Sequence, residues 1–211
     1  MNLPKHIEDA IHEYIPVLEG WTEPDKACEI AELVISNDPK VVVEIGTFGG
    51  RSAIAQAFAL RQNNSGGKIY CIDPWRLEYA LEGESSDNRK WWSQNINIDE
   101  IHTKCMHAIW QHNLDEWLVV IRAASQHVYQ LFPEIDMLLI DGNHSEVASF
   151  RDVQLYLPRV NPNGYIWLDD TDWVVRDGEK VLASTKKAVE LIETQCTLVK
   201  DMGKHRLYQK Q

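Results

Sequence analysis

Basic residues are scarce in this chain: Lys and Arg number 21 against 32 Asp and Glu, for a formal charge of −11 with His neutral. No basic run offsets the repulsion a polyanion would meet. This argues against nucleic acid held through its phosphates and against an anionic membrane surface. Long apolar runs are missing as well, and none approaches the roughly 20 residues that span a bilayer. Met1 to Lys5 lead straight into Glu8, Asp9 and Glu13, without the apolar core of a signal peptide. Cysteine is sparse. Cys28, Cys71, Cys105 and Cys196 show no C-x-x-C spacing, so reduced and mostly buried thiols are expected. These absences together predict a cytoplasmic protein. Internal repeats and low-complexity linkers are absent too. What is present is an ordinary globular mixture over 211 residues, 44% apolar and 25% charged, enough to bury a core without disulfides or metal.

The hydrophobic pattern alternates between helical and extended periods, which predicts an α/β fold around a mainly parallel sheet. Ile7, Ala10 and Ile11 mark a short N-terminal helix. Thr22 is expected to cap a second one, with Ala27, Ile30, Ala31 and Val34 on its apolar face. Strands are predicted at Val41–Val43, Lys68–Asp73, Leu118–Ile121, Met137–Asp141 and Tyr165–Asp169. Helices are predicted over 52–60, up to about Trp110, from Ser125 to Leu131, after the cap Ser145, and where Val181, Thr185, Ala188 and Ile192 recur at helical spacing. Residues 74–92 read as irregular, and Asn161-Pro162-Asn163-Gly164 reads as a turn. The last two apolar runs flank Asp201-Met202-Gly203, a hairpin signal that predicts an antiparallel edge.

Ligands of open α/β sheets bind beyond the C-terminal strand ends. The first predicted strand runs into Glu44-Ile45-Gly46-Thr47-Phe48-Gly49-Gly50-Arg51-Ser52. Its glycines permit a tight turn and a close approach at a helix N-terminus. Phe48 breaks the dinucleotide G-x-G-x-x-G pattern, and Glu44 would repel a phosphate, so either a cationic ligand or a plain β–α turn fits. Asp73 ends the second strand, as a ribose-binding acid or a turn acid. Ser125, after the third, is a helix cap or a ligand contact. Asp141-Gly142-Asn143-His144 and Asp169-Asp170 end the fourth and fifth strands. Three close carboxylates either take up protons or hold a cation. All-oxygen ligation would select Mg²⁺, with Ca²⁺ or Mn²⁺ next. Beside a bound substrate hydroxyl, His144 would be placed as a general base.

These segments resemble the class I S-adenosylmethionine (SAM)-dependent methyltransferases, and within them the metal-dependent O-methyltransferases of the catechol and macrolide-sugar types. The Glu44–Ser52 run is similar to that family's E-[LI]-G-x-[FY]-x-G-x-S motif. The D-G-x-H and D-D segments look closer to the sugar-modifying enzymes. The resemblance implies a Rossmann-like three-layer α/β/α sandwich, with a seven-stranded, mostly parallel sheet and an antiparallel C-terminal hairpin. It implies SAM contacts at Glu44, Gly46, Thr47, Phe48, Gly49, Gly50, Ser52, Asp73, Ala124, Ser125, Gln126 and Asp141. It implies Mg²⁺ or another divalent cation on Asp141, Asp169 and Asp170, and catalytic roles for His144 and Asp141.

The organisation this implies is a methyltransferase domain over 39–211 with the N-terminal helices of 1–38 packed on it. Residues 74–100, with Trp75, Tyr79, Trp91 and Trp92, would be a substrate lid. The expected reaction is metal-assisted methyl transfer to a hydroxyl of a small sugar, polyol or catechol-like molecule, with a homodimer compatible with the short N-terminal helices. A non-catalytic SAM-binding protein of the same fold is the alternative. A metallophosphoesterase would need a D-x-H after the first strand and a late G-H-x-H, and neither is present.

Overall fold

The computed structural model describes residues 3–178, 180–182 and 184–211. Alternation along the first strand shows how the layers arise. In β1 (Val41–Ile45), Val42 faces one apolar cluster while Val43 and Ile45 face another, as the period of two requires. Four strands continue it in parallel: β2 (Lys68–Ile72), β3 (Leu118–Ile121), β4 (Ile135–Ile140) and β5 (Val160–Leu168). Two short strands, β6 (Val175–Asp177) and β7 (Lys180–Leu182), form a separate antiparallel ribbon. β8 (Cys196–Asp201) and β9 (Arg206–Lys210) close the main sheet antiparallel. Among the described residues that sheet has seven strands, in the order β3-β2-β1-β4-β5-β9-β8. This is the Rossmann-like architecture expected, with the C-terminal hairpin in place.

One face of the sheet carries α1 (Lys5–Tyr14), α2 (Pro24–Asn37) and α3 (Arg51–Asn63). α2 lays Ala27, Ile30, Ala31 and Val34 against α3, whose residues from Ser52 to Leu60 are all buried. Between β2 and β3 lie α4 (Leu77–Ala80), α5 (Ser86–Asn95) and α6 (Ile98–Gln111). α7 (Ser125–Val128) follows β3. The opposite face carries α8 (Glu146–Tyr156) and α9 (Lys186–Glu193). Among the described residues no helix is long and apolar enough to cross a membrane.

Some boundaries differ from the sequence reading. Glu23, not Thr22, is the cap residue of α2, and Thr22 is buried. Val181 belongs to β7, and the last helix starts at Lys186. Residues 74–92 contain α4 and most of α5, because Ser85 caps α5 by accepting from the Asn88 N–H. The strand β5 runs back through Asn161–Gly164, with Asn163 at φ 64° where a turn was expected. Ser145 caps α8 as predicted, accepting from the Ala148 N–H.

Candidate active site

Parallel register gathers the candidate residues at one edge. Ile45 pairs with Ile72 and Ile140, and Ile140 pairs with Leu168, so the residues that follow each strand emerge together. Backbone bonds extend the ladder one step: Gly46 N to Ile72 O at 2.9 Å, Asp141 N to Ile45 O at 2.9 Å and Asp169 N to Ile140 O at 3.0 Å.

Glu44 is wholly buried at the end of β1 and accepts from Gln56 Nε2 at 2.6 Å. Its Oε1 has no partner, nor has the buried Thr47 Oγ1. Burial pushes the Glu44 carboxyl up to about 7. Two unpartnered oxygens, one of them on a carboxylate, are acceptors that the ammonium end of an amino-acid ligand would satisfy. Ser52 is buried in the first turn of α3, and Gly50 is that helix's cap residue. Asp73 follows β2. Its Oδ2 accepts from the Phe48 N–H at 2.9 Å and its Oδ1 from the Trp75 N–H at 2.7 Å, so this acid holds the shape of the loop as well as facing the strand ends.

The glycines serve protein contacts. A Cβ on Gly49 would strike the Glu19 carbonyl, so the 18–22 segment crosses over the loop where an approaching ligand was expected. Arg51 fastens that segment through Nε to Leu18 O at 2.9 Å and Nη1 to Thr22 O at 3.2 Å. The Phe48 ring then stacks on Trp21, with centroids 5.1 Å apart, and meets the edge of Trp92 at 5.9 Å. Trp21 and Trp91 are largely exposed, so an aromatic cluster faces solvent above the strand ends. Trp75, by contrast, is buried, and its Nε1 donates to Phe48 O at 2.8 Å as a pin. A cleft of about 490 Å³ opens beyond Asp73, lined by Trp75, Arg76, Leu77, Ile98, Asp99 and Arg122.

Ala124 and Ser125 are buried after β3, and Gln126 is half-buried. Ser125 Oγ donates to Asp152 Oδ1 at 2.5 Å, and Ser125 O accepts from Tyr156 Oη at 2.9 Å. This serine therefore braces α7 against α8.

The acids after β4 and β5 converge. His144 Nε2 lies 3.2 Å from Asp170 Oδ2 and 3.7 Å from Asp141 Oδ1. Asp170 takes a left-handed φ of 49°, which turns the chain sharply after Asp169. Ser184 and Thr185 clamp the loops by donating to His144 O at 2.6 Å and Asp170 O at 3.1 Å. His205 Nδ1 stands 3.9 Å from Asp169 Oδ1, with its ring stacked on Trp167. Burial lowers the pKa of His144 against the pull of Asp170 and Asp169, favouring the neutral imidazole that accepts a proton.

A residue that sequence reasoning missed sits in the middle. Lys26, in the first turn of α2, places Nζ in a short ion pair with Asp169 Oδ2 and 3.8 Å from Asp141 Oδ2. Burial works against its charge, but Asp141 and Asp169 outweigh burial and hold its pKa above the ordinary value. Asp169 is pushed up by burial but pulled below the usual carboxylate range by Lys26, while burial and Asp169 drive Asp141 well up. The expected Mg²⁺ site on Asp141, Asp169 and Asp170 therefore does not fit: the ammonium stands between the first two. Among the described residues no group of His, Cys, Asp and Glu is placed to hold a metal ion. The signal in the sequence was a lysine four residues before Ile30, on the buried face of α2 and at its N-terminus, where the helix dipole disfavours a cation.

A family model described as a methyltransferase domain matches residues 43–171, from β1 through Asp141, Asp169 and Asp170. The chain belongs to that family. Over 133 residues the chain is 31% identical to "Uncharacterized protein R132" of Acanthamoeba polyphaga mimivirus, covering 63% of this chain and 52% of that one. The chain thus spans about half the length of the curated relative it matches. Among solved structures, it is similar to the O-methyltransferase from Bacillus cereus in complex with SAH, with a TM-score of 0.66, 16% identity, and 100% of this chain and 93% of that one covered. The O-methyltransferase NovP gives a TM-score of 0.64 at 18% identity over 88% of this chain and 78% of its own. TomG from Streptomyces achromogenes, in complex with SAM, gives 0.61 at 14% identity over 99% and 91%. At these identities the likeness is one of fold, the class I methyltransferase fold.

Proposed function

We propose that this protein is a SAM-dependent O-methyltransferase acting on a hydroxyl of a small sugar-, polyol- or catechol-like molecule. The observation that carries the reading is the shared sheet edge, where Glu44, with its unpartnered Oε1, sits at the end of the strand beside the one that leads to Asp141 and His144, and Asp73 follows the next strand over. When bound there, SAM supplies a methyl group already activated on a sulfonium. Glu44 and Thr47 would hold its amino-acid end, and Asp73 its ribose. His144 would take the proton of the acceptor hydroxyl at Nε2, with Asp170 stabilising the imidazolium formed. The aromatic cluster of Trp21, Phe48, Trp91 and Trp92 would cover the acceptor and exclude water.

The test has two parts. Calorimetry with S-adenosylhomocysteine should show binding, and its absence at millimolar ligand overturns the cofactor. A panel of polyols and catechols should then give methyl transfer that His144→Ala abolishes while that binding persists. Full binding with no turnover on any acceptor would instead favour a binding protein that has lost its chemistry.

A further inference from the structure

We propose that Lys26 is the resident cation of this site, and that its ammonium does the charge-neutralising work a divalent ion would do between Asp141 and Asp169. Only the activity arm of the test below rests on the methyltransferase reading.

The argument is geometric. The carboxylates that end β4 and β5 are brought side by side by the register Ile140 to Leu168. Two such carboxylates, shielded from water, require a positive charge or a proton between them. Lys26 Nζ is in the required place, against Asp169 Oδ2 and within 3.8 Å of Asp141 Oδ2. Its stem is part of the protein core rather than a surface arm: the side chain is 17% exposed, and the next residues of α2, Ala27 and Cys28, are buried. The lysine is delivered from a helix outside the matched stretch 43–171, so the N-terminal segment completes the site. That segment is itself fixed by the Arg51 bonds and by the approach of Glu19 to Gly49. A divalent ion in the same position would have to expel an ammonium already paired with Asp169. Asp170 does not join the pair, since its carboxylate faces His144.

Lysine as the cation differs from a metal in consequence. An ammonium carries one charge and three donors, and it cannot be removed by a chelator. It offers no open coordination position for a substrate oxygen, so the acceptor's proton is left to His144, with Asp170 stabilising the imidazolium formed.

The experiment titrates Mn²⁺ into chelator-treated protein and follows the free ion by electron paramagnetic resonance. The wild type and Lys26→Gln, which keeps a hydrogen bond to Asp169 without the charge, are compared. The wild type should leave the ion free at about 1 mM, and Lys26→Gln should bind it at least tenfold more tightly. Lys26→Arg, which restores a cation, should abolish the gained binding. Thermal unfolding gives the second readout, because Mn²⁺ should raise the midpoint of Lys26→Gln and leave the wild type unmoved. A Lys26→Gln chain that folds only with Mn²⁺ present would support the proposal in the same way. Submillimolar Mn²⁺ binding by the wild type overturns it, as does a Lys26→Gln chain that neither binds Mn²⁺ nor is stabilised by it. In the activity arm, turnover should survive excess chelator. Loss of turnover restored by Mg²⁺ would overturn the proposal while leaving the methyltransferase reading intact. Failure to bind S-adenosylhomocysteine would do the reverse.

Discussion

Arg151 grips Glu82 with two parallel bonds, Nη1 to Oε1 at 3.0 Å and Nη2 to Oε2 at 2.7 Å. The pair joins α8 to the segment between α4 and α5. Two residues beyond Asp141, the Asn143 amide adds a second tie, with Nδ2 near the carbonyls of Tyr79 at 2.9 Å, Ala80 at 3.1 Å and Glu82 at 2.9 Å.

Asn143→Ala removes the donor from those carbonyls and should cost about 1–3 kcal/mol locally. The expected readout is faster proteolytic cleavage within 77–95 and a raised KM for the acceptor, with affinity for S-adenosylhomocysteine largely kept. Arg151→Ala should do the same more weakly, by about 1 kcal/mol, because the ion pair is partly exposed. Unchanged cleavage in both variants would show that other contacts hold the segment.

Glu44 links stability to pH. Its folded pKa, about 7, lies above the ordinary 4.5, so its favourable contribution is complete below 4.5 and is lost as pH rises to 7. Glu44→Gln should flatten that part of the profile and stabilise the unliganded protein by about 2 kcal/mol at alkaline pH. The same variant should weaken S-adenosylhomocysteine binding by about tenfold or more. Urea unfolding on either side of neutrality, with calorimetry, measures both.

Asp152 repeats the logic with a different partner. Burial raises it from 3.8 to about 6, while the Ser125 hydroxyl favours its charged form. Its contribution is therefore present below 3.8 and lost as pH rises through 6. Ser125→Ala should cost about 1–3 kcal/mol well above pH 6, where the carboxylate is charged and loses a donor, and little well below it. Equal costs at both pH values would contradict this account.

Gly46 has φ 92°, and a Cβ there would strike the Asp141 carbonyl. Gly46→Ala should destabilise the fold by about 1–3 kcal/mol and displace the end of β4. Methyl transfer should fall further than stability alone explains, since Asp141 and His144 follow that carbonyl. Thermal unfolding and turnover below the unfolding midpoint separate the two effects.

The parallel strands and the closing hairpin were legible because their signals are local. Val41–Val43, Met137–Ile140 and Asp201-Met202-Gly203 each carry the period or turn chemistry of the element they form. The strand-end acids were legible as well, since an acid directly after a buried strand must emerge at the sheet edge. The helix α5 was missed because its charged and aromatic residues show no clean apolar face, and a cap at Ser85 organises it instead.

What the sequence by itself determined was the fold class, the strand ends and the acids that occupy them. What only the tertiary structure decided was which cation meets those acids and what fills the space above the glycine loop. Lys26 stands 143 positions from Asp169, and Glu19 closes on Gly49 from the preceding segment. Neither contact leaves a local period. The first exists because α2 packs its apolar face on α3 and thereby carries its first turn to the ends of β4 and β5, and the second because Arg51 fastens the 18–22 segment over the loop. Charge balance in a buried cluster is a property of the assembled site, and it selected a lysine where the strand-end carboxylates alone suggested a metal.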